Sequence, residues 1–244
     1  MKHELAMTSN VRRFLAAVRE LRDRSLGVEG MGLLWGQPGE GKSTTVAFAA
    51  NTLSGVFVRA NAAWTMTSML AAIMTELGHS PLRFRAPMVD AITRSLMADP
   101  RPVFVDEADY LLRDPAMLDT LRDIYDVSGS PIVLIGMEDM ARKVRRHGRT
   151  ARRITQWVEF SGISDADTRI LADTVCEVQV ADDLLAHIRA EADSNIGRMT
   201  TALSRVETLA KTNGLTSVDL AAWGDRALFY DQPTFRARRA ANGR

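Results

Sequence analysis

"LLWGQPGEGKST", residues 33–44, reads as a strand that runs into a tight turn and then a helix. Gly36, four intervening residues and then Gly41-Lys42-Ser43 make the spacing of a phosphate-binding loop. Gly36, Gly39 and Gly41 let the backbone turn its N–H groups inward around phosphate oxygens. Lys42 adds a point charge for the β- and γ-phosphates, and Ser43 supplies a hydroxyl for Mg²⁺. The helix that follows directs its positive end at the same anion. Glu40 and Thr44, inside the loop, are counted with the nucleotide contacts.

About sixty residues further on, "PVFVDEAD" delivers Asp106 and Glu107 to the end of an apolar strand. Asp106 is placed to hold the Mg²⁺ water shell opposite Ser43, and Glu107 to orient and deprotonate an attacking water. Two adjacent carboxylates at a strand tip are costly unless metal or solvent offsets their charge. Asp109 either shares in this chemistry or caps the helix after it. Together the two stretches imply an enzyme that hydrolyses a nucleoside triphosphate.

Outward from these motifs the chain alternates strands and helices. Apolar positions Val11, Phe14, Leu15, Val18 and Leu21 predict a helix over 10–24. Strands are predicted at 31–36, 55–60, within "RPVFVDEADYLL" (101–112), within "SPIVLIGMEDM" (130–140) and, shorter, at 157–160. Helices are predicted from Lys42 to Leu53 and from 67 to a stop at Gly78. "PLRFRAP" (81–87) reads as a basic loop. From about Ser164 strand signals cease, and helical patterns recur at 164–176, 182–192, 197–213 and 217–229. The fold class is therefore α/β, a five-stranded parallel sheet core of P-loop NTPase type followed by a small all-helical domain. The expected divisions are an N-terminal helix at 1–28, the core at 29–161, the helical domain at 162–230 and a basic tail at 231–244.

With 46% apolar residues the 244-residue chain can bury a sizeable core, and a net charge of +1 excludes a uniformly basic coat. The single cysteine, Cys176, excludes an internal disulfide and any thiol-based metal cluster. No apolar stretch approaches the roughly 18–20 residues that span a bilayer. These features predict a cytoplasmic protein with no membrane partner.

Gly36 to Ser43, Asp106-Glu107, the strand ending "LIGM", a basic run and then "SNIGRMTTALSRVE" resemble the AAA+ ATPases. Within them, "VRANAAWTMTSMLAAIMTELG", "VFVDEADYL" and "IVLIGMEDM" are most similar to the transposition ATPases of the phage Mu B, insertion-sequence and Tn7 kinds. The resemblance implies ATP and Mg²⁺ as cofactors, a helical lid, head-to-tail self-association, double-stranded DNA and a DDE transposase as partners, and a bacterial or phage-infected host cell. It places Arg198 as a lid arginine that reaches the γ-phosphate. It makes "RTARRITQWVEF" the segment carrying an arginine finger into a neighbouring subunit, with Arg153 the first choice and Arg152 the second. Where the family often has a polar first sensor, this chain has Met137, followed by Glu138.

From Met140 to Val158 there is no acidic residue, and Lys143, Arg145, Arg146 and Arg149 stand in that interval with Arg142, Arg152 and Arg153. Such a block is a candidate phosphate-contact surface. Arg83 and Arg85 flank Phe84, which either helps to grip a nucleic-acid backbone or anchors in the core. Trp64, after the second strand, either faces DNA or packs. The tail arginines Arg236, Arg238, Arg239 and Arg244 would add nonspecific attraction. No base-reading module is present, so the DNA binding implied is sequence-independent. A replication or helicase-loading ATPase, or a protein-remodelling one, would share the same nucleotide motifs.

Overall fold

Strands written as apolar runs rather than alternating patterns belong to a sheet buried on both faces. The computed structural model describes residues 1–229, and the basic tail with its four arginines lies outside the described residues. In chain order the elements are α1 (Ser9–Arg22), β1 (Met31–Gly36), α2 (Lys42–Thr52), β2 (Val56–Arg59), α3 (Met66–Glu76), α4 (Arg85–Ala98) and β3 (Val103–Asp106). A 3-10 turn over Ala108–Arg113 leads to α5 (Pro115–Ser128), β4 (Ile132–Gly136), α6 (Met140–Arg145), α7 (Gly148–Ala151) and β5 (Ile154–Phe160). The remainder is α8 (Asp165–Val175), β6 (Gln179–Val180), α9 (Asp182–Glu191), α10 (Ile196–Asn213), β7 (Ser217–Val218) and α11 (Leu220–Trp223).

The five long strands form one parallel sheet in the order β2-β3-β4-β1-β5. Successive side chains leave opposite faces. Leu33, Val103, Val105, Ile132 and Leu134 join the core built with α3, α4 and α5, whereas Leu34, Phe104, Val133 and Ile135 meet α1 and α2. Phe14 of α1 sits edge-on to Phe160 at 6.3 Å between ring centroids, closing that second face. A parallel sheet points every strand's carboxyl end the same way, which gathers the loops after β1, β2, β3 and β4 along one rim.

Four sequence expectations are corrected. β5 begins at Ile154 and is the longest strand; Thr155 and Gln156 hide it because it is an edge strand with a bulge against Met31 and Gly32 of β1. The expected loop 81–87 already contains the start of α4, since Pro87 lies in a first turn whose N–H groups lack helical partners anyway. Of the helix expected at 217–229, only Leu220–Trp223 is helical, stopped by Gly224. Between α8 and α11 runs a two-residue parallel ladder, β6 with β7, too short to leave a strand pattern.

The C-terminal helices have a core of their own, centred on Leu171, Leu184, Ile188, Met199, Leu203 and Val206, and Ala6 from the N-terminal segment packs into it. Asp167 of α8 is buried and accepts from both the N–H and the hydroxyl of Ser9, at 2.7 and 2.5 Å. Lys2 N–H donates to the Val175 carbonyl at 2.8 Å. Residues 1–9 thereby strap the sheet's helical layer to the C-terminal helices. Among the described residues no helix is long and apolar enough to cross a membrane.

Candidate nucleotide site

The loop between β1 and α2 turns as its glycines dictate. Gly39 and Gly41 take φ of 83° and 79°, left-handed conformations that cost any residue with a Cβ. Lys42 folds back and donates to the carbonyls of Gly36 and Gln37, each at 2.7 Å. Burial lowers its pKa, against the pull of Glu40, Asp106, Glu107 and Asp109. These contacts hold the ammonium over the loop, where triphosphate oxygens would replace the carbonyls.

β3 brings the two carboxylates to the same rim. Asp106 is buried, its Oδ1 accepts the Glu107 N–H at 2.9 Å, and its Oδ2 has no hydrogen-bond partner. A solvent-shielded carboxylate oxygen left unsatisfied in the cleft that Ser43 also lines is what an oxygen-loving cation would use, so the donors present fit Mg²⁺. Ser43 and Asp106 would hold it, and it would neutralise charge on the phosphate oxygens. Glu107 adopts φ 55°, uncommon for a residue with a side chain, which swings its carboxylate out of the strand line.

Arg59, at the end of β2, was missed by sequence reasoning. Its Nη2 stands 3.1 Å from Glu107 Oε1 and its Nε 3.7 Å from Asp106 Oδ2. Only the parallel pairing of Arg59 with Asp106 brings it there, and no local motif announces that register.

These residues line a cleft of about 1010 Å³ that also takes in the strap (Leu5, Ala6, Thr8) and the C-terminal helices (Leu171, Val175, Ile196). The phosphate loop forms one part of its wall, and Leu5, Ala6, Leu171 and Val175 give another part an apolar lining. The N-terminus of α10 docks on the loop: Gly197 N–H donates to the Gly39 carbonyl at 2.8 Å, and Asn195 Nδ2 to the Pro38 carbonyl at 2.9 Å. Asn195, which also caps α10, is a second residue the sequence did not reveal.

The profile of the AAA domain family matches residues 23–144, half of the chain. This chain belongs to the AAA domain family. Its phosphate loop and its Asp106-Glu107 pair fit the binding of ATP with Mg²⁺. No curated protein matches the sequence. Similar solved structures include Aeropyrum pernix ORC2 in ADPNP and ADP complexes (TM-score 0.69, 16% identity, 89% of this chain and 66% of that one). The Aeropyrum pernix ORC1 protein in complex with DNA is also similar (TM-score 0.60, 16% identity, 88% and 62%). So is the Thermotoga maritima RuvB Holliday junction branch migration motor (TM-score 0.55, 16% identity, 86% and 64%). The chain thus spans less than two thirds of the length of each of these proteins. At such identity they share a fold with it.

In this AAA domain Glu40 is buried, with Oε1 3.4 Å from Asn195 Nδ2 and Oε2 unpartnered. Burial raises its carboxyl above the ordinary range, and Lys42 and Asn195 offset this only in part. The unfolded carboxyl therefore ionises first, so stability held in acid is lost as pH rises through the raised value. Glu40→Gln is expected to raise the unfolding midpoint of the nucleotide-free protein at neutral pH. The gain should vanish below the ordinary carboxylate range, which thermal unfolding across pH will show.

The predicted arginines fall in several places around the AAA domain. Arg198 does not line the cleft: its guanidinium lies 4.2 Å from the Phe229 ring centroid and donates to the Glu191 carbonyl at 3.2 Å. Arg153, the first choice for a finger, is tied to Asp126 at 2.8 Å and Glu29 at 2.9 Å, which neutralises it; Arg152 beside it is exposed. The acid-free block is no bare basic strip. Arg142 pairs with Asp139, Lys143 faces Asp109 and Arg145 lies over Trp157, while Arg146 and Arg149 are exposed. Trp64 packs against the main core, and Phe84 is 62% exposed with Arg83 5.3 Å over its ring, so neither packs as a DNA-facing tryptophan or a core anchor would. Arg85 is exposed and bonds Thr67 Oγ1 at 2.9 Å, setting the start of α4 beside the start of α3.

Proposed function

We propose that this chain is an ATP-controlled, largely sequence-independent DNA-binding ATPase that self-associates head to tail along duplex DNA. The observation that carries this reading is the position of Arg59. It touches Glu107 and Asp106, and the very next residues, 60–65, lead to α3 and so to the Arg83–Arg85 rim. A change at the γ-phosphate can pass through this loop to the start of α3, where Thr67 bonds Arg85, and so to exposed cations and an exposed aromatic ring. Arg83 and Arg85 supply phosphate contacts and Phe84 a face for a sugar or base. Arg146, Arg149 and Arg152, exposed together before β5, belong to the subunit contact, with Arg152 as the finger. The similarity of "VRANAAWTMTSMLAAIMTELG" to transposition ATPases supports delivery of target DNA to a DDE transposase. Replication loading is the second reading, favoured by the likeness to an ORC1 protein solved in complex with DNA.

Duplex binding should require ATP or a nonhydrolysable analogue and weaken as salt rises, log K falling by about 0.9 per phosphate contact for each unit of log salt. Lys42→Ala should lose the ATP-dependent part. Anisotropy titrations with a labelled duplex read both, and equal affinity with and without ATP would overturn the reading. Co-purification with a transposase or with a replicative helicase separates the two clients.

A further inference from the structure

Beyond Glu107 the nucleotide cleft opens into a second one of about 760 Å³. Pro38, Glu107 and Met137 line both, so the second cleft starts where the outermost phosphate would end. Asp109 stands on its wall. The sequence allowed it as a helix cap, but its Oδ2 instead accepts the Met137 N–H at 2.7 Å, just past β4. Gly136 makes that approach feasible, since a Cβ there would sit 2.5 Å from the same oxygen. Asp109 Oδ1 is shielded from solvent and has no hydrogen-bond partner, while Lys143 Nζ of α6 stands 3.7 Å from it. That separation attracts without bonding, so the ammonium keeps its three donors for another acceptor. The Asp109 charge also acts on Lys42, which places this carboxylate between two lysines at one site.

We propose that Lys143, held ready by Asp109, is a catalytic cation that the chain supplies to its own bound nucleotide, contacting the outer oxygens of the γ-phosphoryl group from the second cleft. Asp109 is the positioning residue. The assignment rests on the ATPase site and is independent of the DNA-binding reading. In the reaction a water oxygen bonds to the γ-phosphorus as the bond to the β–γ bridging oxygen breaks. That electron pair leaves with ADP, and the water proton passes to Glu107. Charge spreads over the outer oxygens of the phosphoryl group in transit, where a nearby ammonium lowers the barrier. Lys143 forms no bond to phosphorus; it swings on a flexible stem from Asp109 to those oxygens. The side chain is 45% exposed, so its removal leaves no cavity in the core.

Lys143→Met should lower kcat by about 10²–10³-fold, the usual cost of removing one charge-stabilising donor. Affinity for ADP should stay unchanged and the preference for an ATP analogue over ADP should shrink. Lys143→Arg should keep most of the turnover. Asp109→Asn should lower kcat by a smaller factor with an unchanged unfolding midpoint. Steady-state phosphate release and fluorescent-nucleotide titrations, without DNA, supply these readouts. Normal turnover in Lys143→Met would overturn the assignment, as would equal losses of ADP and ATP-analogue affinity. If Lys42→Ala kept its turnover, the nucleotide-site reading itself would fail; a silent Lys143→Met beside an inactive Lys42→Ala overturns the Lys143 role alone.

Discussion

Glu107→Gln is expected to bind ATP normally and lower kcat by about 10²–10⁴-fold, the range that a positioned general base contributes. The carboxylate stands at the cleft with a third of its side chain exposed, its backbone turned to φ 55° and its N–H locked to Asp106. Glutamine has the same shape, keeps an oxygen for Arg59 and cannot accept a proton from water at neutral pH. Phosphate release measured beside ATP-analogue titration separates loss of chemistry from loss of binding. Turnover near wild type would move the base elsewhere. Because the variant holds ATP without spending it, the ATP-bound assembly on DNA should persist, and electron microscopy of Glu107→Gln with duplex DNA should show it.

Arg152→Ala is expected to lower kcat by about 10³-fold or more, the scale of an arginine acting on a transferring phosphoryl group. In the head-to-tail assembly proposed above, that action would be intermolecular. Arg153 precedes the start of β5, beside Met31 at the start of β1, with its carbonyl accepting the Met31 N–H at 3.0 Å. The phosphate loop leaves the opposite end of β1, after Gly36. At about 3.3 Å per strand residue the two ends lie roughly 16 Å apart, beyond the reach of one side chain. Mixing Arg152→Ala with Glu107→Gln should therefore restore part of the turnover. The Glu107→Gln chain would lend its Arg152 to a neighbour whose Glu107 is intact. Two inactive variants that stay inactive when mixed would show that Arg152 is no finger. Arg153→Ala should instead cost stability, since it frees Glu29 and Asp126 from their shared partner.

The parts of the site legible from sequence are those written in consecutive residues. Gly36 to Ser43 and Asp106-Glu107 carry their chemistry in local spacing, and the apolar runs around them told of a sheet covered on both faces. What escaped was set by register or by packing between distant segments. Arg59 reaches Glu107 because β2 pairs with β3, and Asn195 reaches Pro38 across 157 residues of chain. The strap over residues 1–9 has no periodicity because most of it follows a cleft and not a helix face. Charge counting misled for a related reason. Absence of acids between Met140 and Val158 says nothing of Asp109, Asp126 or Glu29, which the fold brings against Lys143 and Arg153.

The grip of α10 on the phosphate loop depends on side chains that are absent. One of its hydrogen bonds joins Gly197 N–H to the Gly39 carbonyl, main chain to main chain. No replacement short of proline at Gly197 deletes such a bond; a Cβ at Gly197 would stand 3.1 Å from that carbonyl oxygen and one at Gly39 2.7 Å from Asn195 Oδ1. An alanine scan would thus record crowding where the native chain has attraction. What these two positions supply is room rather than reactivity, and that bare backbone keeps α10 and the phosphate loop in register.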